Sequence, residues 1–233
     1  MTISFDLNDF PKWEDFNWVE FEISNSLFAL KRLITLQNES FDQVREELDK
    51  KIKKTETENT DLDEEVMHQY IDHLYGMEET IINELEIIQK GSQITTALSI
   101  FESKLKMFSD KIKSSFNFKI QNSDSNSSYT QNYWNNIKAF IGKESLLIET
   151  QFNEITNSSI IRNIIVHQNL VAKQSQYNRI RHLNELKFHE FNNSYYLYSI
   201  DLDFINRLVL KIELFFEGLL DLIKNKTNRL LEK

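Results

Sequence analysis

The chain has no cysteine, one proline and only four glycines in 233 residues. Without cysteine there can be no disulfide framework, thiol nucleophile or thiolate zinc site. Tight turns, closed barrels and glycine-rich phosphate loops need glycine and proline at fixed places, and this chain lacks the supply. Long unbroken apolar runs are missing too. The most apolar stretch, near Leu208 to Ile223, is interrupted by Lys211, Glu213, Glu217 and Asp221, too many charges for an inexpensive bilayer span. The first residues, Met1-Thr2-Ile3-Ser4-Phe5-Asp6, offer neither the basic start nor the apolar core of a secretion signal. The expectation is a protein without membrane spans, in the cytoplasm.

What is abundant is apolar residue at helical spacing. Hydrophobic residues make up 40% of the chain and phenylalanine alone numbers 17, enough for a sizeable core. Periodicity near 3.6 predicts a helix from Trp18 to about Gln37 and a second, highly charged one from Ser40 to Lys54. A polar linker is expected over residues 55–60. A long pattern follows from about Leu62 to Ser114, with Tyr70, Leu74, Met77, Ile81 and Leu85 on one face and a break or kink at Lys90-Gly91. Residues 1–17 read as an irregular arm, and residues 117–132, rich in Asn and Ser, as a mobile loop. Shorter helices are expected at Trp134–Phe140 and Ser145–Ile155. Asn157-Ser158-Ser159 then caps another. Residues 185–200 switch to a period near two around Asn192-Asn193, which predicts a hairpin. Asp201 or Asp203 caps a last helix over Phe204–Leu222. The fold class is therefore all-α, a helical bundle with a small β-hairpin before the last helix.

Charge is unevenly spread. Residues 1–90 hold 9 Lys and Arg against 22 Asp and Glu, and residues 91–233 hold 18 against 14. The acid lies in the first part and the second is mildly basic, compatible with a local anion site on an acidic body. The acidic part is equally suited to solubility or to docking a partner.

The chemistry-bearing stretch is Ile161-Arg162-Asn163-Ile164-Ile165-Val166-His167. Histidine can move protons near neutral pH and arginine can hold a fixed cation on a phosphate. Asn163 and His167, four apart, share a helix face. Arg162, five before His167, lies about 140° round, within reach of a long side chain. The same residues could instead be structural, with Arg162 paired to a carboxylate and His167 at a helix end.

This stretch resembles the arginine-x4-histidine motif of the higher-eukaryote-and-prokaryote nucleotide-binding (HEPN) superfamily, many of whose members are metal-independent endoribonucleases. The resemblance covers roughly residues 65–225. It implies an N-terminal helical extension at residues 1–60 and a HEPN-like bundle at 61–233. It also implies a homodimer whose facing motif helices form one composite site, with no cofactor or metal. His167 would be the general acid/base, Arg162 would hold the scissile phosphate and Asn163 would position Arg162 or the phosphate. Glu102, in Phe101-Glu102-Ser103-Lys104-Leu105, resembles the acidic position on the family's earlier helix and would orient the pair. Products would carry 2′,3′-cyclic phosphate and 5′-hydroxyl ends. Lys104, Lys173, Arg179 and Arg181 are candidates to track the RNA backbone, with Tyr177 to stack on a base. The resemblance further implies a prokaryotic toxin or abortive-infection role against phage, with an antitoxin or sensor as partner. The chain departs from the toxin subgroup that has tyrosine two residues after the histidine; here that residue is Asn169. The alternative is a catalytically inactive HEPN-like module that binds nucleotides or proteins. His68, Asp72 and His73 crowd one helix but lack the further ligands a metal site needs.

Overall fold

A computed structural model describes residues 15–116 and 128–231. Two long helices, α1 (Asp15–Glu58) and α2 (Glu64–Phe116), open the fold. Next come α3 (Tyr129–Ile141), a 3-10 turn at Lys143–Ser145, α4 (Leu146–Asn157) and α5 (Ser159–His167). Strand β1 (Val171–Ala172), α6 (Gln174–Ile180), strands β2 (Leu186–Phe191) and β3 (Ser194–Ile200), and α7 (Leu202–Leu231) complete it. The chain is mostly helical, with a small three-stranded antiparallel sheet before α7. Among the described residues no helix is long and apolar enough to cross a membrane.

Several boundaries differ from the sequence expectation, among them the end of α7, expected at Leu222 and reached at Leu231. First, α1 is one helix rather than two. No glycine or proline interrupts it, and the buried positions Ile34, Leu48 and Thr55 carry one face through the expected join at Ser40. The expected linker is helical to Glu58, because Thr55 is buried and its hydroxyl bonds Tyr75 Oη at 2.8 Å. Second, α2 runs unbroken through Lys90-Gly91. Third, α3 begins at Tyr129, four residues inside the expected loop, where Ser128 caps it by accepting from Gln131 N–H; residues 117–127 of that loop lie outside the described residues. Fourth, of the expected arm, residues 1–14 lie outside the described residues, and Phe16 is already helical and buried.

The chain divides into two compact units, with α1, α2 and α7 each contributing to both. Of the described residues, the first unit takes 15–28, 98–116, 128–156 and 210–231. Its core is aromatic. Trp134 stacks on Phe152 at 4.8 Å, and Phe215 meets Phe101, Trp134, Phe152 and Phe216 at 5.3–6.1 Å. Rings at these separations and angles add to the burial of large apolar area. Gly218 lets α7 press on α4, since a Cβ there would meet Ile148 Cγ2 at 2.8 Å.

The second unit takes residues 29–97 and 157–209. There α1 and α2 form an antiparallel pair. Gln93 Nε2 donates to Gln37 Oε1 (2.8 Å) and Lys51 pairs with Glu78 (2.7 Å). The turn between them is closed by Asp63, whose carboxylate accepts from Val66 N–H. The sheet order is β1-β3-β2. The hairpin is as expected, with both Asn192 (φ 49) and Asn193 (φ 58) left-handed, as a two-residue turn of this hand requires. The third strand, β1, was not legible: two residues are too few to show a period. Asp201 caps α7 by accepting from Asp203 N–H.

Candidate functional site

Helix α5 lies in the second unit and carries the whole Arg162–His167 motif. Ile160, Ile161 and Ile164 are buried and fix which side faces inward. Arg162 and Asn163 are half-buried, Val166 is exposed, and His167 is exposed as the last helical residue. Asn163 and His167 therefore share one edge of the outward side, and Arg162 lies near its middle. Among the described residues the imidazole of His167 has no hydrogen-bond or ion-pair partner. The next side chain, Gln168, has its amide oxygen buried without a partner among them.

The chain reverses immediately after the histidine. Asn169 (φ 47) and Leu170 (φ 66) are both left-handed, and Leu170 N–H bonds back to Ile164 O at 3.0 Å. A left-handed leucine is strained by roughly 1–2 kcal/mol. The reversal is held by Leu197 N–H, which donates to Leu170 O at 2.9 Å, and by pairing of Val171 with Tyr196. The sheet therefore anchors the His167 end of α5.

The other anticipated residues fall in several places. Glu102 is half-buried on α2 and belongs to the first unit, as does Lys104. The Lys104 side chain is only 12% exposed and pairs with Glu22 at 3.2 Å. In the second unit Lys173 is exposed at the start of α6, its N–H donating to Gln176 Oε1. Tyr177 lies face to face with Tyr195 at 3.8 Å and edge-on to Phe188, so one face of its ring is occupied from within the fold. Arg179 donates to Asn157 Oδ1 at 2.8 Å, just before α5 begins. The helix between is about 13 Å long, so Arg179 is tied to the end opposite His167. Arg181 is exposed. His68, Asp72 and His73 are all exposed, and among the described residues no cluster of three or more His, Asp or Glu is placed to hold a metal ion.

A second polar feature was missed by sequence reasoning. Arg45, Glu86 and Lys90 form a network in which Glu86 accepts from both cations. Arg45 also bonds Asn83 Oδ1, and Lys90 Nζ donates to Ile200 O at 2.6 Å. Burial raises the Glu86 pKa, but the hydrogen bonds from Lys90 and then Arg45 outweigh it, and the net shift is downward. The network lines an open cavity of about 470 Å³ with Tyr198 on its rim. Its members lie too far apart in sequence to form a motif.

No protein-family model, curated protein or solved structure matches this chain.

Proposed function

We propose that the chain is a metal-independent endoribonuclease of HEPN type, working as a homodimer, with His167 as general acid/base and Arg162 holding the phosphate. The observation that carries this reading is the setting of His167. It is an exposed histidine without a side-chain partner among the described residues, on the same nine-residue helix as a half-buried arginine. A purely structural histidine is normally hydrogen-bonded or buried. The two left-handed residues behind it supply further support, since backbone strain concentrates at functional sites.

In the chemistry, a base takes the 2′-hydroxyl proton, the oxygen attacks the adjacent phosphorus, and an acid protonates the departing 5′-oxygen. One imidazole cannot hold both roles in a single step, so a second copy supplies the partner group. Arg162 offsets charge developing on the non-bridging oxygens. Asn163, on the His167 edge, positions the phosphate. Lys173 and Arg181, both exposed, are the better placed of the anticipated RNA contacts. By analogy alone, the biological role is that of a toxin or abortive-infection effector.

Incubation of the purified protein with total bacterial RNA in excess EDTA tests the reaction class. The expected products carry 5′-hydroxyl and 2′,3′-cyclic phosphate ends. Cleavage that stops with EDTA, or that leaves 5′-phosphates, contradicts the reading.

A second reading, an inactive module that binds another protein, is favoured by one feature, the apolar row left outside on α2.

A further inference from the structure

The face of α2 marked by Tyr70, Leu74, Met77, Ile81 and Leu85 faces outward. All five are exposed, Met77 to 79%. Val66 begins the row and Ile88, 64% exposed, ends it. The intervals between neighbours are four, four, three, four, four and three residues. This is an eleven-residue repeat, which stays on one side of a helix over its length. The row spans about 33 Å. The helix meets α1 through a different face, where Ile82 is buried and Tyr75 reaches Thr55. Folded chains rarely leave a continuous apolar row of this length in water unless something covers it.

Charge identifies the covering group. Between Glu64 and Gln89 there are seven Asp and Glu and no Lys or Arg. Glu78 is paired with Lys51, and Glu86 with Arg45 and Lys90. Glu64, Glu65, Asp72, Glu79 and Glu84 have no cation partner among the described residues. A second copy laid on this row would set carboxylates against carboxylates. An anionic membrane surface would be repelled in the same way.

We propose that the α2 row is a docking surface for an amphipathic helix of another protein, one whose apolar stripe is flanked by Lys and Arg. The apolar side chains supply the contact area and the unpaired carboxylates select the sign of the partner. The surface is independent of the ribonuclease reading, and its test does not use RNA.

The probe is a synthetic Leu/Lys peptide of about 20 residues with a helical apolar stripe, long enough to cover the row. A Leu/Glu peptide of the same pattern and a scrambled Leu/Lys peptide are the controls, with binding followed by calorimetry. The patterned Leu/Lys peptide is expected to bind one per chain, at least about tenfold tighter than either control. The double variant Met77→Glu, Ile81→Glu should lose that binding with its circular dichroism unchanged, because both positions are exposed. The pair Glu79→Lys, Glu84→Lys keeps the apolar row and should also weaken it about tenfold or more. Equal binding of the scrambled or acidic peptide, or no effect of either variant pair, overturns the proposal. So does a wild-type dimer in sedimentation that Met77→Glu, Ile81→Glu dissociates, because the row would then hold a second copy. Row-dependent binding to neutral phosphatidylcholine vesicles also overturns it, by assigning the surface to lipid.

Discussion

Gly91 on α2 and Ile165 on α5 meet so closely that a Cβ on Gly91 would lie 2.7 Å from Ile165 Cγ2. Ile165 is inside the Arg162–His167 motif. The glycine expected to break α2 is instead the flat place on an unbroken helix against which the motif helix is seated. Gly91→Ala should therefore destabilise by about 1–3 kcal/mol despite alanine's better helix propensity. Ile165→Ala removes the clashing methyl. In the double variant the cost of Gly91→Ala should shrink, giving a coupling of about 1 kcal/mol in a denaturation cycle. Strict additivity would mean that the two residues do not touch.

Phe215 sits among four other aromatic rings in the first unit. Phe215→Ala should cost about 3–5 kcal/mol, measured by chemical denaturation. A loss under about 1 kcal/mol would mean that the aromatic core is not packed as described.

Glu86 makes part of the stability pH-dependent. Its folded pKa lies below the ordinary carboxylate value, so its contribution is fully present above that ordinary value, which the unfolded chain keeps. That contribution is lost as the pH falls through the folded value. Denaturation midpoints of wild type and Glu86→Gln should differ most near neutrality and converge in acid. A gap that widens in acid would reverse the assigned sign.

The hairpin turn places Asn193 at φ 58 with an exposed side chain. Asn193→Val forces a β-branched residue into the left-handed region and should cost about 1–2 kcal/mol. Asn193→Gly should be tolerated or mildly stabilising. Thermal denaturation of the two variants distinguishes them.

The longer helices, the Asn192-Asn193 turn and the Asp201 cap were legible because each rests on local periodicity or turn chemistry, whereas α6, of seven residues, is too short to show a period. The join expected at Ser40 was misplaced because a polar patch in α1 resembles a linker until Gln37 is seen to hold Gln93. Tyr70 to Leu85 could be placed on one face from spacing, but spacing does not say whether a face is covered. Within the site, the sequence puts Arg162, Asn163 and His167 on one helix. It carries no signal for what surrounds them: the Gly91 seat, and the Leu197 and Tyr196 contacts that hold the left-handed turn at Leu170, come from residues distant along the chain. Tyr177 shows the same limit, since its partner Tyr195 is 18 residues away in sequence.

The most direct test of the account replaces His167 alone. His167→Ala removes an exposed side chain and should leave stability within about 0.5 kcal/mol of wild type. RNA cleavage in EDTA should fall at least about a hundredfold, the usual contribution of a positioned acid/base. Cleavage by the folded variant at the wild-type rate would contradict the assignment of this histidine, and with it the site.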